Sequence, residues 1–376
     1  MGKVNTSIVH SVVPAASGGN ALAAAFAAMS SGQTSELVLT DTHWPTDGSR
    51  INSQAQTANG KWDHVNSKLY LYNKRSGAAT GALHVYDAAT GLWSQPWTGY
   101  PSSADSTTNL NGNCYNTWGI SPVDQKFFIA DYYNNLRKWD AQSTQAFTLV
   151  GPLVNSNFAS IATQGDKPYS VEFLKDGYGS GQEGILIATP KRLYLSKRDV
   201  SIAATVLWSA DASQSLGYLS LHRSPRTTIA SLFLVGGTGY TKITGAYTSS
   251  EARATLEVQV YLIASDGVVT RMPDAPSANI GPASATYDRV CNYDNVLYLF
   301  EGDGGNGIWK LEADINGGGF YAWTKLPYTH NFKTVSTSVP FSVTPIPQYG
   351  GIVGISSSSA SSSAYSSRIR MFLYKV

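Results

Sequence analysis

The chain has 376 residues, with 27 Lys or Arg against 25 Asp or Glu, for a formal net charge of +2. Charged residues make up 14% and aromatics 11%, a balance that excludes a coiled coil, a disordered chain and a helical bundle. There is no basic excess to release counterions from a phosphate backbone and no apolar run long enough to span a bilayer, so neither nucleic acid nor membrane is expected as a partner.

In chain order, residues 6–13 read as β-prone and residues 20–29 as a short Ala-rich helix with Asn20 as its cap. Such a helix is too short and too weakly amphipathic to stand alone in water, so it must dock. The apolar stretch over residues 21–28 makes a poor secretory signal, because Lys3 is the only positive charge ahead of it and His10, Pro14 and Gly18-Gly19 intervene. Met1-Gly2 with Thr6 fits only the loose form of a myristoylation pattern. Residues 36–40 then read as a strand without a local partner.

From there an apolar strand recurs at residues 68–72, 126–130, 184–188, 231–235, 296–300 and 351–355, at intervals of 47 to 65 residues. Each copy is followed by an alternating strand, at residues 81–87, 135–140, 192–196, 256–261, 308–312 and 369–374. In five copies a short outer strand follows, marked by Trp93, Phe147, Trp208, Val268-Val269 or Trp323. A fourth strand precedes each apolar one, around residues 62–65, 115–120, 169–174, 218–222, 284–290 and 341–346. Four strands per unit, repeated six times, is the pattern of an all-β fold, a six-bladed β-propeller.

The sixth unit has no outer strand of its own after residues 369–374. Pairing residues 36–40 beside them closes the ring, and closure removes sheet edges that would recruit another chain. The expected organisation is an N-terminal arm over residues 1–35 carrying the helix, and a propeller over residues 36–376.

The run Leu83-His84-Val85-Tyr86-Asp87-Ala88-Ala89-Thr90-Gly91-Leu92-Trp93 resembles the kelch repeat, with an Asp at the strand end, a turn Thr and a Trp on the outer strand. Looser echoes run from Ile308 to Trp323 and from Leu136 to Phe147, and the double glycine of the repeat appears as Gly236-Gly237. The resemblance implies the frame of the fold much more than a function. Kelch-like oxidases use a copper held by histidines, a tyrosine and a crosslinked cysteine. Cys114-Tyr115 and Cys291-Asn292-Tyr293 have no matching histidine set, so the expectation is no metal and no cofactor.

The histidines His10, His43, His64, His84, His222 and His330 are scattered without metal-ligand spacing. Among acids on inner strands, Asp63, Glu172, Asp288 and Asp294 approach the axis, with bridging between blades or turn capping as the leading expectation and paired hydrolytic carboxylates as the alternative. The connections between blades over residues 41–60, 96–114 and 152–168 are long and that over residues 328–340 is intermediate, and they are aromatic and amide-rich with little charge. They supply the candidate ligand- or partner-binding residues His43, Trp44, Trp97, Tyr100, Asn111, Tyr328 and His330, with no catalytic residue assigned.

The composition resembles that of accessory proteins of bacteriophage particles. The expected role is therefore a non-catalytic binding or structural module of a virion, attached to other virion proteins through the N-terminal arm and meeting a glycan on its loop face. The alternative is an extracellular carbohydrate-active enzyme, a hydrolase or oxidase working at the axial mouth.

Overall fold

The computed structural model describes residues 11–14, 20–38, 55–75, 81–98, 118–130, 134–139, 148–153, 158, 168, 170–179, 181–210, 217–226, 231–237, 258–276, 289–301, 307–313, 321–330, 341–357 and 369–376. In chain order, β1 (Ser11–Pro14), the helix α1 (Ala21–Ala27) and β2 (Thr34–Val38) come first. The first blade is β3 (Ala55–Asp63), β4 (Lys68–Arg75), β5 (Gly81–Asp87) and β6 (Leu92–Thr98). The second is β7 (Trp118–Ile120), β8 (Phe127–Ala130), β9 (Asn135–Trp139) and β10 (Thr148–Pro152). The third is β11 (Ser170–Leu174), β12 (Gly184–Ala188), β13 (Arg192–Lys197) and β14 (Thr205–Ser209). The fourth is β15 (Gly217–Arg223), β16 (Leu232–Gly237), β17 (Val258–Ile263) and β18 (Val269–Ala275). The fifth is β19 (Val290–Tyr293), β20 (Val296–Phe300), β21 (Gly307–Ala313) and β22 (Tyr321–Thr329).

The sixth sheet takes β23 (Phe341–Ile346), β24 (Gly351–Ser357) and β25 (Ile369–Lys375) from one end of the described chain and β2 from the other, with β1 parallel along the outer side of β2. β2 is antiparallel to β25, with Leu37 opposite Met371 and Ser35 opposite Leu373. The protein is a six-bladed β-propeller of antiparallel, four-stranded blades, the sixth extended at its outer edge by the parallel β1.

The apolar runs of the second strands have a direct physical cause. A blade is covered on both faces by its neighbours, so alternate residues face opposite ways yet all must be apolar. In β12 every residue from Ile185 to Ala188 is buried to 0%. Outer strands are wetter: β14 and β22 contain no fully buried residue. Each seam between successive blades holds its own apolar core, and rings dominate several. Phe127 of β8 packs on Tyr70 of β4 at 4.6 Å and on Trp139 of β9 at 5.1 Å between ring centroids.

The seam between the sixth and first blades is filled differently. Leu22, Ala25, Phe26 and Met29, from α1 and the turn after it, enter one core with Trp62, Leu69 and Tyr86 of the first blade and Ile346, Val353 and Leu373 of the sixth. Asn20 caps α1 through its Oδ1, which accepts from Ala23 N at 2.9 Å, and its amide also donates to the Tyr349 hydroxyl. Seven helical residues would not hold together alone; burial of this face stabilises them. Gly351 lies directly under Phe26, and a Cβ there would overlap the ring.

Several strands differ in extent from the sequence reading. The first inner strand ends at Asp63 instead of running to Val65, because the Asp63 carboxylate accepts from Val65 N and Asn66 N at 3.0 Å each and turns the chain. The fifth inner strand runs from Val290 to Tyr293, past the expected end at residue 290. It then turns through Asp294 and Asn295 at φ 49° and 70°, the two positive values of a tight hairpin. The strand expected at residues 36–40 occupies Thr34–Val38, with residues 39 and 40 outside the described set.

Phe26→Ala is expected to lower unfolding stability by about 3–5 kcal/mol through the cavity it leaves. Gly351→Ala is expected to cost about 1–3 kcal/mol alone by overpacking, and much less in the Phe26→Ala background. Urea unfolding of the two single variants and the double variant measures this; additive losses would show that the ring and the glycine do not share the contact.

Candidate functional site

The inner strands β3, β7, β11, β15, β19 and β23 each end their sheet, so all six turn one edge toward the axis. Residues from all six line a small axial cavity of about 50 Å³, among them Lys61, Ile120, Glu172, His222, Asn292 and Thr344. Most inner-strand positions are apolar or small, so the charged ones stand out. Glu172, flanked by the buried Val171 and Phe173, is itself only 3% exposed.

Glu172 is the hub of this cluster. Its Oε1 is bonded by Lys61 Nζ from the first blade, and its Oε2 lies 3.6 Å from Arg223 Nε of the fourth. Arg223 also donates from Nη2 to the Ile120 carbonyl of the second blade at 3.3 Å. Beside them, Ser220 Oγ and His222 Nε2 are 2.6 Å apart. Burial, reinforced by the Lys61 charge, pushes His222 down to about 3, so the imidazole is neutral at ordinary pH.

Further bonds stitch the inner strands together. Gly60 N donates to Ser342 Oγ at 2.9 Å, Leu221 N to Ser170 Oγ at 3.0 Å, and Asn292 Nδ2 to the His222 carbonyl at 3.1 Å. At the end of the inner strands Arg226 pairs with Asp294 at 3.1 Å and donates to the Pro347 carbonyl at 3.0 Å. Asp63 caps its turn and Asp294 bridges two blades; Asp288 lies outside the described residues. Cys291 is buried at the cavity wall, where burial drives its thiol well above the usual range. Cys114 lies outside the described residues. Among the described residues no three His, Cys, Asp or Glu side chains gather as a metal site, and no helix is long and apolar enough to cross a membrane.

Of the residues singled out in the sequence, His43, Trp44, Tyr100 and Asn111 lie outside the described set. Trp97 belongs to β6, opposite Leu83, and its side chain is likewise not described. Tyr328 on β22 is 41% exposed, with its ring against Gly32 of the N-terminal segment. His330 follows β22 and is 2% exposed, its ring 5.7 Å from that of Phe300, and burial pushes it down to about 4. These two residues are outside the axial cavity. Lys61, His222, Arg223 and Asn292 were not singled out in the sequence as site residues. The legible signal was a charged or amide residue interrupting an inner strand.

No family model matches the chain, and no curated protein matches it. Among solved structures it is similar to an α-L-arabinanase from Penicillium chrysogenum complexed with arabinobiose, at 10% identity and TM-score 0.48, covering 86% of this chain and 95% of that one. It is similar to an α-L-arabinofuranosidase from Fusarium graminearum at 8% identity and TM-score 0.48, with the same coverages of 86% and 95%. A GH74 enzyme from Niastella koreensis is matched at 14% identity and TM-score 0.45, over 83% of this chain and 47% of that one.

Replacing Glu172 with Leu leaves Lys61 and Arg223 buried without their carboxylate, and a loss of about 3–5 kcal/mol is expected on denaturant unfolding. His222 and His330 are both held below the ordinary value near 6.5. The native state therefore binds fewer protons than the unfolded chain in mild acid. Their contribution is complete above about pH 6.5 and falls as pH drops toward 4. The urea midpoint of the wild type should decline over that interval, and His222→Gln should flatten the decline; an unchanged slope would refute the assignment.

Proposed function

We propose that this propeller is a non-catalytic binding or structural module, a component of a bacteriophage virion held to capsid or tail through its N-terminal segment. Its loop face then meets a host glycan or another virion protein. The observation that carries the non-catalytic part is the state of the axis. Sugar-sized ligands occupy pockets of roughly 300–1,000 Å³, against about 50 Å³ here. Acid–base hydrolysis of a glycoside needs two carboxyl groups facing the bond; Glu172 is the one carboxylate lining the described cavity, and Lys61 and Arg223 engage it.

The virion reading is supported by composition, namely low charge with abundant aromatic, hydroxyl and amide side chains. The kelch-like reading of the first blade is supported by Asp87 Oδ1, which accepts from Ala89 N at 2.9 Å, and by Trp93 packed on Tyr86 at 5.4 Å. In this reading the anchoring contact lies ahead of Asn20, which is supported by the packing of α1 and β2 into the seam between the sixth and first blades. Multivalent display on a particle turns weak single contacts into firm attachment.

Fractionation of particles from the producing lysate tests the reading, with the chain expected to sediment with virions and not as a free species. Glycan-array binding is expected to fall in Trp44→Ala and Trp97→Ala; unchanged binding in both removes the loop-face contact. Turnover of a polysaccharide by the purified protein, abolished by Glu172→Gln, would overturn the non-catalytic assignment.

A further inference from the structure

The axial cavity presents more positive than negative charge. Lys61 and Arg223 both face it, while Glu172 is the only carboxylate among the described residues lining it. Two other described acids at the inner strands are committed elsewhere. Asp63 accepts from Val65 N, Asn66 N and Asn66 Nδ2, and Asp294 is held by Arg226 and Ser224. His222, neutral in this environment, leaves that balance unchanged.

Two polar atoms in the same wall lack a hydrogen-bond partner among the described residues: Arg223 Nε, on a side chain 10% exposed, and Thr344 Oγ1, on a residue 1% exposed. Arg223 Nε reaches Glu172 only at 3.6 Å, beyond hydrogen-bond distance. An unsatisfied buried donor and an excess buried cation are each costly, and they occur here together.

We infer that the propeller axis binds one small monovalent anion of halide size, held by Lys61, Arg223 and Thr344 at the meeting point of the six inner strands. Such an ion supplies the missing negative charge and accepts from both orphaned groups. A water molecule could fill the second role but not the first. The volume of about 50 Å³ is enough for a halide or a few waters. Since its ligands come from the first, fourth and sixth blades, the ion acts as a structural clamp across the ring. This inference is independent of the virion assignment.

Crystals of the full chain grown in sodium bromide test it directly, with an anomalous bromide peak expected in the axial cavity; water density alone there would overturn it. In solution, replacing gluconate with bromide at constant ionic strength should raise the melting temperature in a saturable way. Lys61→Gln, which brings the cluster to neutrality, and the near-isosteric Thr344→Val should each weaken the apparent bromide affinity by roughly tenfold or more. If Lys61→Gln does not fold, Thr344→Val carries the comparison. A bromide effect that is absent, or equal in wild type and Thr344→Val, would overturn the site.

Discussion

Phe26 resting on the bare backbone of Gly351 is the contact on which the rest of this molecule leans. Each blade has two apolar faces, and each face needs a neighbour. Five of the seams join units that follow one another along the chain, so they assemble with modest loop closure. The remaining seam must bring residues 20–38 against residues 341–376, across almost the whole polypeptide. There the sheets alone do not fill the space, and a helix of seven residues supplies the missing volume. The absence of a side chain at Gly351 lets the ring reach the sheet, while Leu37 opposite Met371 places the first described strands in the last blade.

The axis obeys the opposite rule to the seams. Six edge strands converge there, and edges carry backbone groups that must be satisfied by side chains or solvent. Serines, an asparagine and an arginine do part of this, donating or accepting across blade boundaries at Ser342, Ser170, Asn292 and Arg223. Charge is admitted there with Glu172 between Lys61 and Arg223, one carboxylate to two cations. Among the described residues, the space left at the axis is a cavity of about 50 Å³.

The fold was legible because its signal is repeated. Continuous apolar runs such as residues 184–188 and 296–300 follow from burial on two faces, a local consequence of a local composition. The cap at Asn20 was legible for the same reason, since capping chemistry acts within one turn. Strand ends were less so: whether β3 stops at Asp63 depends on one carboxylate folding back onto two amides. Tyr328 and His330 show the limit on the site. Only two residues apart in sequence, they end in different settings, one partly exposed against Gly32 and the other buried beside Phe300. A strand's alternation tells which residues share a face, but not what covers that face.

By itself the sequence determined an all-β chain of six four-stranded units, because hydrophobic periodicity and turn chemistry are short-range properties written within each unit. Only the tertiary structure decided that Lys61, Glu172, His222 and Arg223 share one cavity and that α1 seals the seam between the sixth and first blades. Taken in chain order, those four residues are 111, 50 and 1 positions apart with no sign of direction, and their meeting is fixed by the radius of the ring. Charge compensation at a point acts through space, and no pattern along the chain encodes a distance through space.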